Sequence, residues 1–128
     1  MGDEKTILVI DDVEENVDII ILQLSKLGYK VISAYDGEQG LQSARTNRPD
    51  LILSDIMLPK MDGWQILSEL KKDPDLANIP VVLMTAYTTI QFRGERKRAM
   101  ELGAADYLKK PFDLAEMAEI VKNLLGKP

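Results

Sequence analysis

Five polar residues stand directly after or at the ends of short apolar segments, and their types could support chemistry. They are Asp11, Asp12, Asp55, Thr85 and Lys110. The chain contains neither cysteine nor histidine, which excludes a thiolate nucleophile, a Ser–His–Asp triad, and thiolate or imidazole metal ligands. Any reaction must therefore use carboxylates, hydroxyl groups or lysine. Any metal site must consist of oxygen ligands, which favour hard cations such as Mg²⁺ or Ca²⁺.

The segments around these residues alternate between apolar runs and helical patterns. The apolar runs predict strands at residues 7–10, 30–34, 51–53, 81–84 and 107–108. Apolar residues at steps of three and four predict helices within 17–27, 37–47, 64–72 and 89–102, and a last helix that Asp113 caps. We expect Met84, Met100 and Met117 in the core and Trp64 to be partly buried.

Strands that alternate with helices predict an α/β fold, in which a doubly wound parallel sheet carries helices on both faces. The first, third and fourth strands are uniformly apolar, as expected of strands buried on both sides. The second and fifth strands include polar residues, so we place them at the edges. Right-handed crossovers then give five strands in the order 2-1-3-4-5, a three-layer, flavodoxin-like (βα)5 arrangement. We expect one domain over residues 1–128.

In such a sheet, ligands bind at the carboxyl ends of the strands, which is where the five polar residues stand. Adjacent strands lie about 4.8 Å apart, so the three carboxylates should converge and either raise their pKa values, bind a cation, or both. Mg²⁺, or Mn²⁺ in its place, binds a few carboxylates and leaves positions for a phosphoryl oxygen. Three acids, a cation, a lysine and a hydroxyl suit phosphoryl transfer, and a carboxylate can itself become an aspartyl phosphate.

The net charge of −5, from 16 basic and 21 acidic residues, argues against direct binding to nucleic acid, which depends on lysine and arginine contacts with phosphate. No apolar run approaches the roughly 20 residues that a membrane span needs. The first residues lack the charged and apolar regions of a signal peptide. We therefore expect a cytoplasmic protein with no direct nucleic-acid or membrane partner.

Five stretches of the chain together carry a recognisable pattern: residues 10–12, 49–59, 61–63, 80–86 and 103–112. They include Ile-Asp-Asp, Ser-Asp-Ile-Met-Leu-Pro, Met-Asp-Gly, Leu-Met-Thr-Ala and Tyr-Leu-Lys-Lys-Pro-Phe. In this order, and over nearly the whole chain, they resemble the bacterial response-regulator receiver domain. That domain is the phosphoacceptor module of two-component signalling, with chemotaxis regulators among its members.

The resemblance implies a role for each residue of the acidic group. Asp55 would accept the phosphoryl group. Asp12, Asp55 and the backbone carbonyl of Met57 would hold Mg²⁺, and Asp11 would act mainly through a bound water.

The resemblance also implies a switch. Thr85 would hydrogen-bond a phosphoryl oxygen, and Lys110, with a cis bond to Pro111, would direct its ammonium group inward. Tyr107 would move between outward and inward positions as Thr85 is drawn to the phosphate, and the face of the fourth helix, fifth strand and fifth helix would change shape.

Two positions would tune the lifetime of the phosphate, and here they are Met57 and Tyr87. Neither side chain can activate an attacking water, so we predict slow autodephosphorylation, which the pair of changes Met57→Asn and Tyr87→Glu should accelerate.

The chain between Thr85 and Gly103 is longer than the resemblance leads us to expect, by about one helical turn within residues 87–94. The basic residues at 93–98 are either a solvated helix face or a docking patch for an acidic partner.

The leading hypothesis is a switch that catalyses only its own phosphorylation and slow dephosphorylation and is otherwise not an enzyme. Its partners would be a sensor histidine kinase or phosphotransfer protein, and a downstream protein target or output domain, with homodimerisation on phosphorylation as a further option.

One alternative is an interaction module of the same fold that works without phosphorylation. Another is a metal-dependent phosphatase, although those enzymes usually carry a second acid where Met57 stands. Both a stand-alone regulator and a receiver cut from a longer chain remain open.

Overall fold

The structure, a computed structural model, describes residues 4–86, 89–110 and 113–126. Over these ranges strands and helices alternate along the chain. The strands are β1 (Thr6–Ile10), β2 (Lys30–Ala34), β3 (Leu51–Asp55), β4 (Val81–Thr85) and β5 (Asp106–Lys109). The helices are α1 (Glu14–Lys26), α2 (Gly37–Asn47), α3 (Gly63–Lys72), α4 (Thr89–Glu101) and α5 (Leu114–Leu125). Among the described residues, none of these helices is long and apolar enough to cross a membrane.

The five strands form one parallel sheet in the order β2-β1-β3-β4-β5. This order confirms the prediction, including the two edge strands. Every residue of β3 and β4 is buried, whereas β2 begins with the exposed Lys30 and β5 has half-buried ends. The polarity of each strand therefore matches the number of neighbours that it has in the sheet.

Alternate side chains of the strands enter two separate cores, one on each face of the sheet. On one face, strand residues pack with residues of α2, α3 and α4; the cluster includes Leu8, Ile52, Leu83, Leu41, Leu67 and Ala99. On the other face they pack with α1 and α5; this cluster includes Ile7, Leu53, Met84, Leu24 and Val121. The predicted three-layer architecture is confirmed.

Two methionines follow the core prediction and one does not. Met84 and Met117 are fully buried, but 42% of Met100 is exposed. Met100 lies in the last turn of α4, next to Ala99, which is the residue of that turn that meets the sheet. The prediction for Met100 was therefore wrong, because in this turn Ala99, and not Met100, packs in the core. Trp64 is partly buried against the core, as predicted.

Candidate functional site

The carboxyl ends of four strands bring the predicted site residues together at one end of the sheet. Ile10 of β1 is paired with Ser54 of β3, so the residues that follow them, Asp11 and Asp55, stand side by side. Two strands further along, Lys110 follows β5 directly. Its backbone N–H donates a hydrogen bond to the carbonyl of the last residue of β4, which fixes the point from which its side chain leaves the sheet.

The Lys110 side chain reaches across β4 to the two carboxylates. Its Nζ lies 2.7 Å from Asp11 Oδ2 and 3.3 Å from Asp55 Oδ2. Asp11 is fully buried and only 7% of Asp55 is exposed. A lysine in water would make a weak ion pair, but these groups are shielded from solvent, so their interaction is stronger than that of a surface pair.

The three aspartates form a cluster with the donor atoms that a hard cation requires. Asp11, Asp12 and Asp55 each offer a carboxylate oxygen, and these oxygens lie within 4.8 Å of one another. Asp11 and Asp55 are buried, whereas Asp12 is exposed and opens the cluster to solvent. All three donors are oxygen atoms, so the cluster fits a divalent cation such as Mg²⁺.

Burial and charge act in opposite directions on Asp55. Burial raises the pKa of the Asp55 carboxyl above its ordinary value of 3.8, and the nearby Asp11 raises it further, while Lys110 opposes both. Burial by itself would lower the pKa of Lys110. The hydrogen bond to Asp11 and the charges of both carboxylates outweigh it, so the pKa of Lys110 is raised and this lysine keeps its charge.

Asp11 is held in place by the start of α1. Its Oδ1 accepts a hydrogen bond from the Val13 backbone N–H at 3.0 Å, and its Oδ2 lies 3.4 Å from the Asn16 side-chain nitrogen. Asn16 was not among the predicted site residues. Its only signal was an amide in the first turn of the helix that follows the Asp-Asp pair.

The loop between β3 and α3 closes tightly around the end of β3. The Gly63 N–H donates to the Ile56 carbonyl at 2.8 Å, and the Ile56 N–H donates to the Met84 carbonyl at 2.9 Å. A Cβ on Gly63 would lie 2.7 Å from the Asp55 carbonyl oxygen, so the loop can close this tightly only with glycine there. Met57 follows Ile56 in this loop, and 64% of it is exposed.

The two residues of the predicted switch lie on the face of the sheet that α4 covers. Thr85 is fully buried and only 1% of Tyr107 is exposed, so the ring takes the inward position. Tyr107 is paired with Leu83 and belongs to the same core cluster as Ala99 of α4. Tyr87 and Pro111 lie outside the described residues. The role of Tyr87 in the lifetime of the phosphate and the cis bond between Lys110 and Pro111 therefore stay predictions.

Two basic residues of α4 make contacts within the domain. Arg96 Nη1 lies 3.1 Å from Asp106 Oδ1 and 3.3 Å from the Tyr107 carbonyl oxygen. The Arg98 guanidinium lies 4.6 Å from the centre of the Trp64 ring, a cation–π contact between α4 and α3. Arg96 and Arg98 thus contact other parts of the domain, and the solvated face and the docking patch both stay predictions for residues 93–98.

Comparison with known proteins gives the chain a family. The family model described as the response regulator receiver domain matches residues 7–122. The response regulator PleD of Caulobacter vibrioides is 42% identical over 118 residues, which cover 92% of this chain and 25% of that protein. The transcriptional regulator RpaA of a Synechocystis strain is 42% identical over 121 residues, covering 94% of this chain and 49% of that protein. The chain thus spans a quarter to a half of these two relatives.

Other relatives match from end to end. The polar-differentiation response regulator DivK of Brucella anthropi is 34% identical over 95% of this chain and 97% of its own length. The receiver domain of a Francisella response regulator has a TM-score of 0.86 at 30% identity, covering 95% of this chain and 97% of its own. The receiver domain of the sensor histidine kinase PA1611 of Pseudomonas aeruginosa, solved with a magnesium ion in its active-site cleft, has a TM-score of 0.84 at 33% identity over 96% of this chain and 98% of its own. With its sheet order, its acidic strand ends and these matches, the chain belongs to the family of response regulator receiver domains of two-component signalling.

Proposed function

We propose that this receiver domain is a phosphorylation-controlled switch, in which Asp55 accepts a phosphoryl group from the phosphohistidine of a sensor histidine kinase or phosphotransfer protein. The observation that carries the proposal is the convergence of Lys110, Asp11 and Asp55, with the lysine ammonium within 3.3 Å of both carboxylates. This arrangement places a fixed positive charge beside a carboxylate nucleophile, as phosphoryl transfer requires.

The proposal includes a magnesium ion, or manganese in its place, held by Asp11, Asp12, Asp55 and the backbone carbonyl of Met57. Support comes from the three carboxylate oxygens within 4.8 Å of one another and from the magnesium ion in the related PA1611 receiver domain. When bound, the ion neutralises charge on the phosphoryl oxygens.

The chain's own residues account for the transfer. An Asp55 carboxylate oxygen forms the bond to phosphorus as the phosphorus–nitrogen bond of the donor histidine breaks, and the electron pair of that bond returns to the imidazole. Lys110 and the Thr85 hydroxyl then hold phosphoryl oxygens. Lys110 also favours the ionised form of Asp55 against the effect of burial, and Asp55 must be ionised to attack.

The output of the switch is a change in surface shape. Once phosphorylated, the site draws Thr85 toward the phosphate, and the space on the α4 side of the sheet retains the inward Tyr107 ring. The face formed by α4, β5 and α5 then presents itself to a downstream protein or an output domain, or to a second copy of the chain. The protein catalyses only its own phosphorylation and dephosphorylation, in the cytoplasm.

Mass spectrometry after incubation with Mg²⁺ and acetyl phosphate tests the proposal. We expect a stable adduct of one phosphoryl group in the unchanged protein and in Asp18→Asn, which alters an exposed aspartate of α1. We expect no adduct in Asp55→Asn.

The same measurement, together with an assay of inorganic phosphate released from phosphate esters, separates the alternatives. An unchanged mass would favour the interaction module that works without phosphorylation. Rapid release of inorganic phosphate from phosphate esters over many turnovers would favour the phosphatase. An adduct that persists in Asp55→Asn would place the acceptor elsewhere.

A further inference from the structure

We propose that Gly37, the first residue of α2, is a positioning residue for the metal site, because it holds the tip of the loop that carries Met57. This loop, residues 56–63 between β3 and α3, is called the metal-site loop below. The inference rests on the proposed function, since it assigns Gly37 a part in holding the metal ligand that Met57 supplies.

The backbone of Gly37 is bonded directly to the tip of the metal-site loop. Its N–H donates a hydrogen bond to the Pro59 carbonyl at 3.2 Å, and the same carbonyl accepts from the Met61 N–H at 2.8 Å. One N–H comes from α2 and the other from the loop itself. The tip is therefore joined to the helix through a shared acceptor.

The approach is too close for any side chain at Gly37. A Cβ on Gly37 would lie 1.7 Å from the Met61 carbonyl oxygen and 2.6 Å from the Met61 carbonyl carbon, whereas real Cβ atoms are essentially never within 3.0 Å of another group. The obstacle is backbone, which cannot rotate away as a side chain can. A residue with a Cβ would force the loop tip and the helix apart by more than 1 Å.

A second, weaker contact joins the same two segments. Asp36 caps α2 by accepting from the Gln39 N–H, and Lys60 Nζ lies 3.7 Å from Asp36 Oδ2. Lys60 has a φ of 70°, a left-handed conformation that bends the chain at the tip. Because Lys60 is mostly exposed, this ion pair adds less than the packing at Gly37.

A displaced tip would move Met57 because the metal-site loop is short and closed at its base. The Gly63 N–H bonds the Ile56 carbonyl at 2.8 Å, so the base cannot absorb the displacement. Met57 and Leu58 alone separate that base from Pro59. Metal sites tolerate only about 0.5 Å of ligand displacement before affinity suffers.

The decisive comparison is between two glycine-to-alanine changes one turn apart in α2. We expect Gly37→Ala to weaken Mg²⁺ binding about ten- to a hundredfold, the usual effect of losing the support of a ligand. Gly40→Ala is the matched control. The three atoms nearest to its Cβ would be carbons of the buried Ile10 side chain, at 2.5 to 3.1 Å, and not atoms of the loop, so we expect it to lower thermal stability and to leave Mg²⁺ affinity unchanged.

Titration calorimetry with MgCl₂ gives the affinity, and thermal unfolding in EDTA shows that each variant is folded and how much stability it has lost. If Gly37→Ala does not fold, Asp36→Asn tests the positioning role instead. This variant removes the ion pair with Lys60 but keeps the helix cap, since asparagine caps helices as well as aspartate does. We expect Asp36→Asn to weaken Mg²⁺ binding about two- to fivefold, the scale of an exposed ion pair. Glu38→Gln, which removes the same charge from an exposed position, should have no such effect.

The outcomes separate the inference from the proposed function. If the unchanged protein does not bind Mg²⁺, the proposed function fails. If it does bind, wild-type affinity in Gly37→Ala, or an equal loss of affinity in Gly40→Ala, would overturn the positioning role. Equal effects of Asp36→Asn and Glu38→Gln would count against it in the same way.

Discussion

At the scale of the residue, Asp55 meets two opposing demands. To accept phosphorus in the proposed reaction, its carboxyl must be ionised, yet burial of all but 7% of the residue's surface favours the protonated form. The Nζ of Lys110 lies 3.3 Å from Asp55 Oδ2, and its positive charge offsets part of the cost of burying the carboxylate. The site therefore holds a carboxylate whose charge is unfavourable to folding but is needed for the proposed reaction.

This conflict predicts that Asp55→Asn stabilises the fold. Burial raises the pKa of Asp55 above 3.8, so its favourable contribution is present below pH 3.8 and is lost as the pH rises through the folded-state pKa. Without metal at pH 7, we expect Asp55→Asn to increase the free energy of unfolding by on the order of 1 kcal/mol. The gain should vanish below pH 3.8. Urea unfolding in EDTA across this pH range measures it.

The control for this experiment is Asp18→Asn, which alters an exposed aspartate and should change stability little at any pH. A gain for Asp55→Asn that stayed constant from pH 3 to 7 would show that the effect does not come from ionisation. A loss of stability at pH 7 would show that the Lys110 contact outweighs burial.

The residues at the strand ends could be predicted, and those that support them could not. Asp11 and Asp55 follow from apolar runs, because parallel strands end at the same edge of a sheet. The contact of Gly37 with Met61, which are distant in sequence, depends on how far α2 and the metal-site loop approach each other. Hydrophobic spacing does not encode that distance, and a glycine at the start of a helix has several other uses.

At the scale of the element, α5 is attached at its end by one buried tyrosine. Tyr29, between α1 and β2, is 3% exposed, and its hydroxyl donates to the Gly126 carbonyl at 3.1 Å. The Gly126 N–H in turn donates to the Lys122 carbonyl at 2.7 Å. The last turn of α5 is thus tied to the connection between α1 and β2.

This contact predicts the effect of Tyr29→Phe. Losing the hydrogen bond should lower the free energy of unfolding by about 1 kcal/mol and speed amide exchange in the last turn of α5. Burial raises the pKa of Tyr29 above 10.0. Its contribution is therefore present below pH 10.0 and lost as the pH rises through the folded-state pKa. The unchanged protein should lose stability at high pH more steeply than Tyr29→Phe.

Guanidinium unfolding between pH 7 and 11 checks both parts. Tyr35→Phe is the matched control, since 37% of Tyr35 is exposed and its hydroxyl contacts only the neighbouring Ser33 at 3.4 Å among the contacts described. Equal alkaline slopes for the protein and Tyr29→Phe would contradict a buried, neutral tyrosine.

The elements themselves were the most predictable part of the fold, because β3 begins with three apolar residues, β4 with four, and α2 lies between the cap Asp36 and a turn at Arg48. The start of α1 was less visible: Val13 precedes it and provides no side-chain cap. Likewise, the basic residues of α4 carry no sequence signal that Arg96 would contact β5 or that Arg98 would stack on Trp64. Such contacts depend on the packing of helices on the sheet, which the periodicity of one helix does not fix.

At the scale of the whole molecule, the two faces of the sheet carry different residues of the proposed switch. Asp55 belongs to the set of alternate strand residues that point toward α1 and α5. Tyr107 lies in the core on the opposite face, which α4 covers. Arg96 joins α4 to the Tyr107 carbonyl at 3.3 Å, so we expect a movement of β5 to reach the surface of α4. In the proposed switch, the residue that would connect the phosphate to this face is Thr85, which is buried at the end of β4.

Thr85→Ala should therefore separate the chemistry from the output. Asp55 and Lys110 keep their contacts in this variant, so acetyl phosphate should still produce the adduct, while most of the phosphorylation-dependent change in amide exchange at α4 and β5 should disappear. Hydrogen exchange with and without acetyl phosphate measures the change, and Thr46→Ala, at an exposed site on α2, should respond as the unchanged protein does. A full exchange response in phosphorylated Thr85→Ala would mean that the signal reaches α4 by another route, with the cation–π contact between Arg98 and Trp64 as the first to examine.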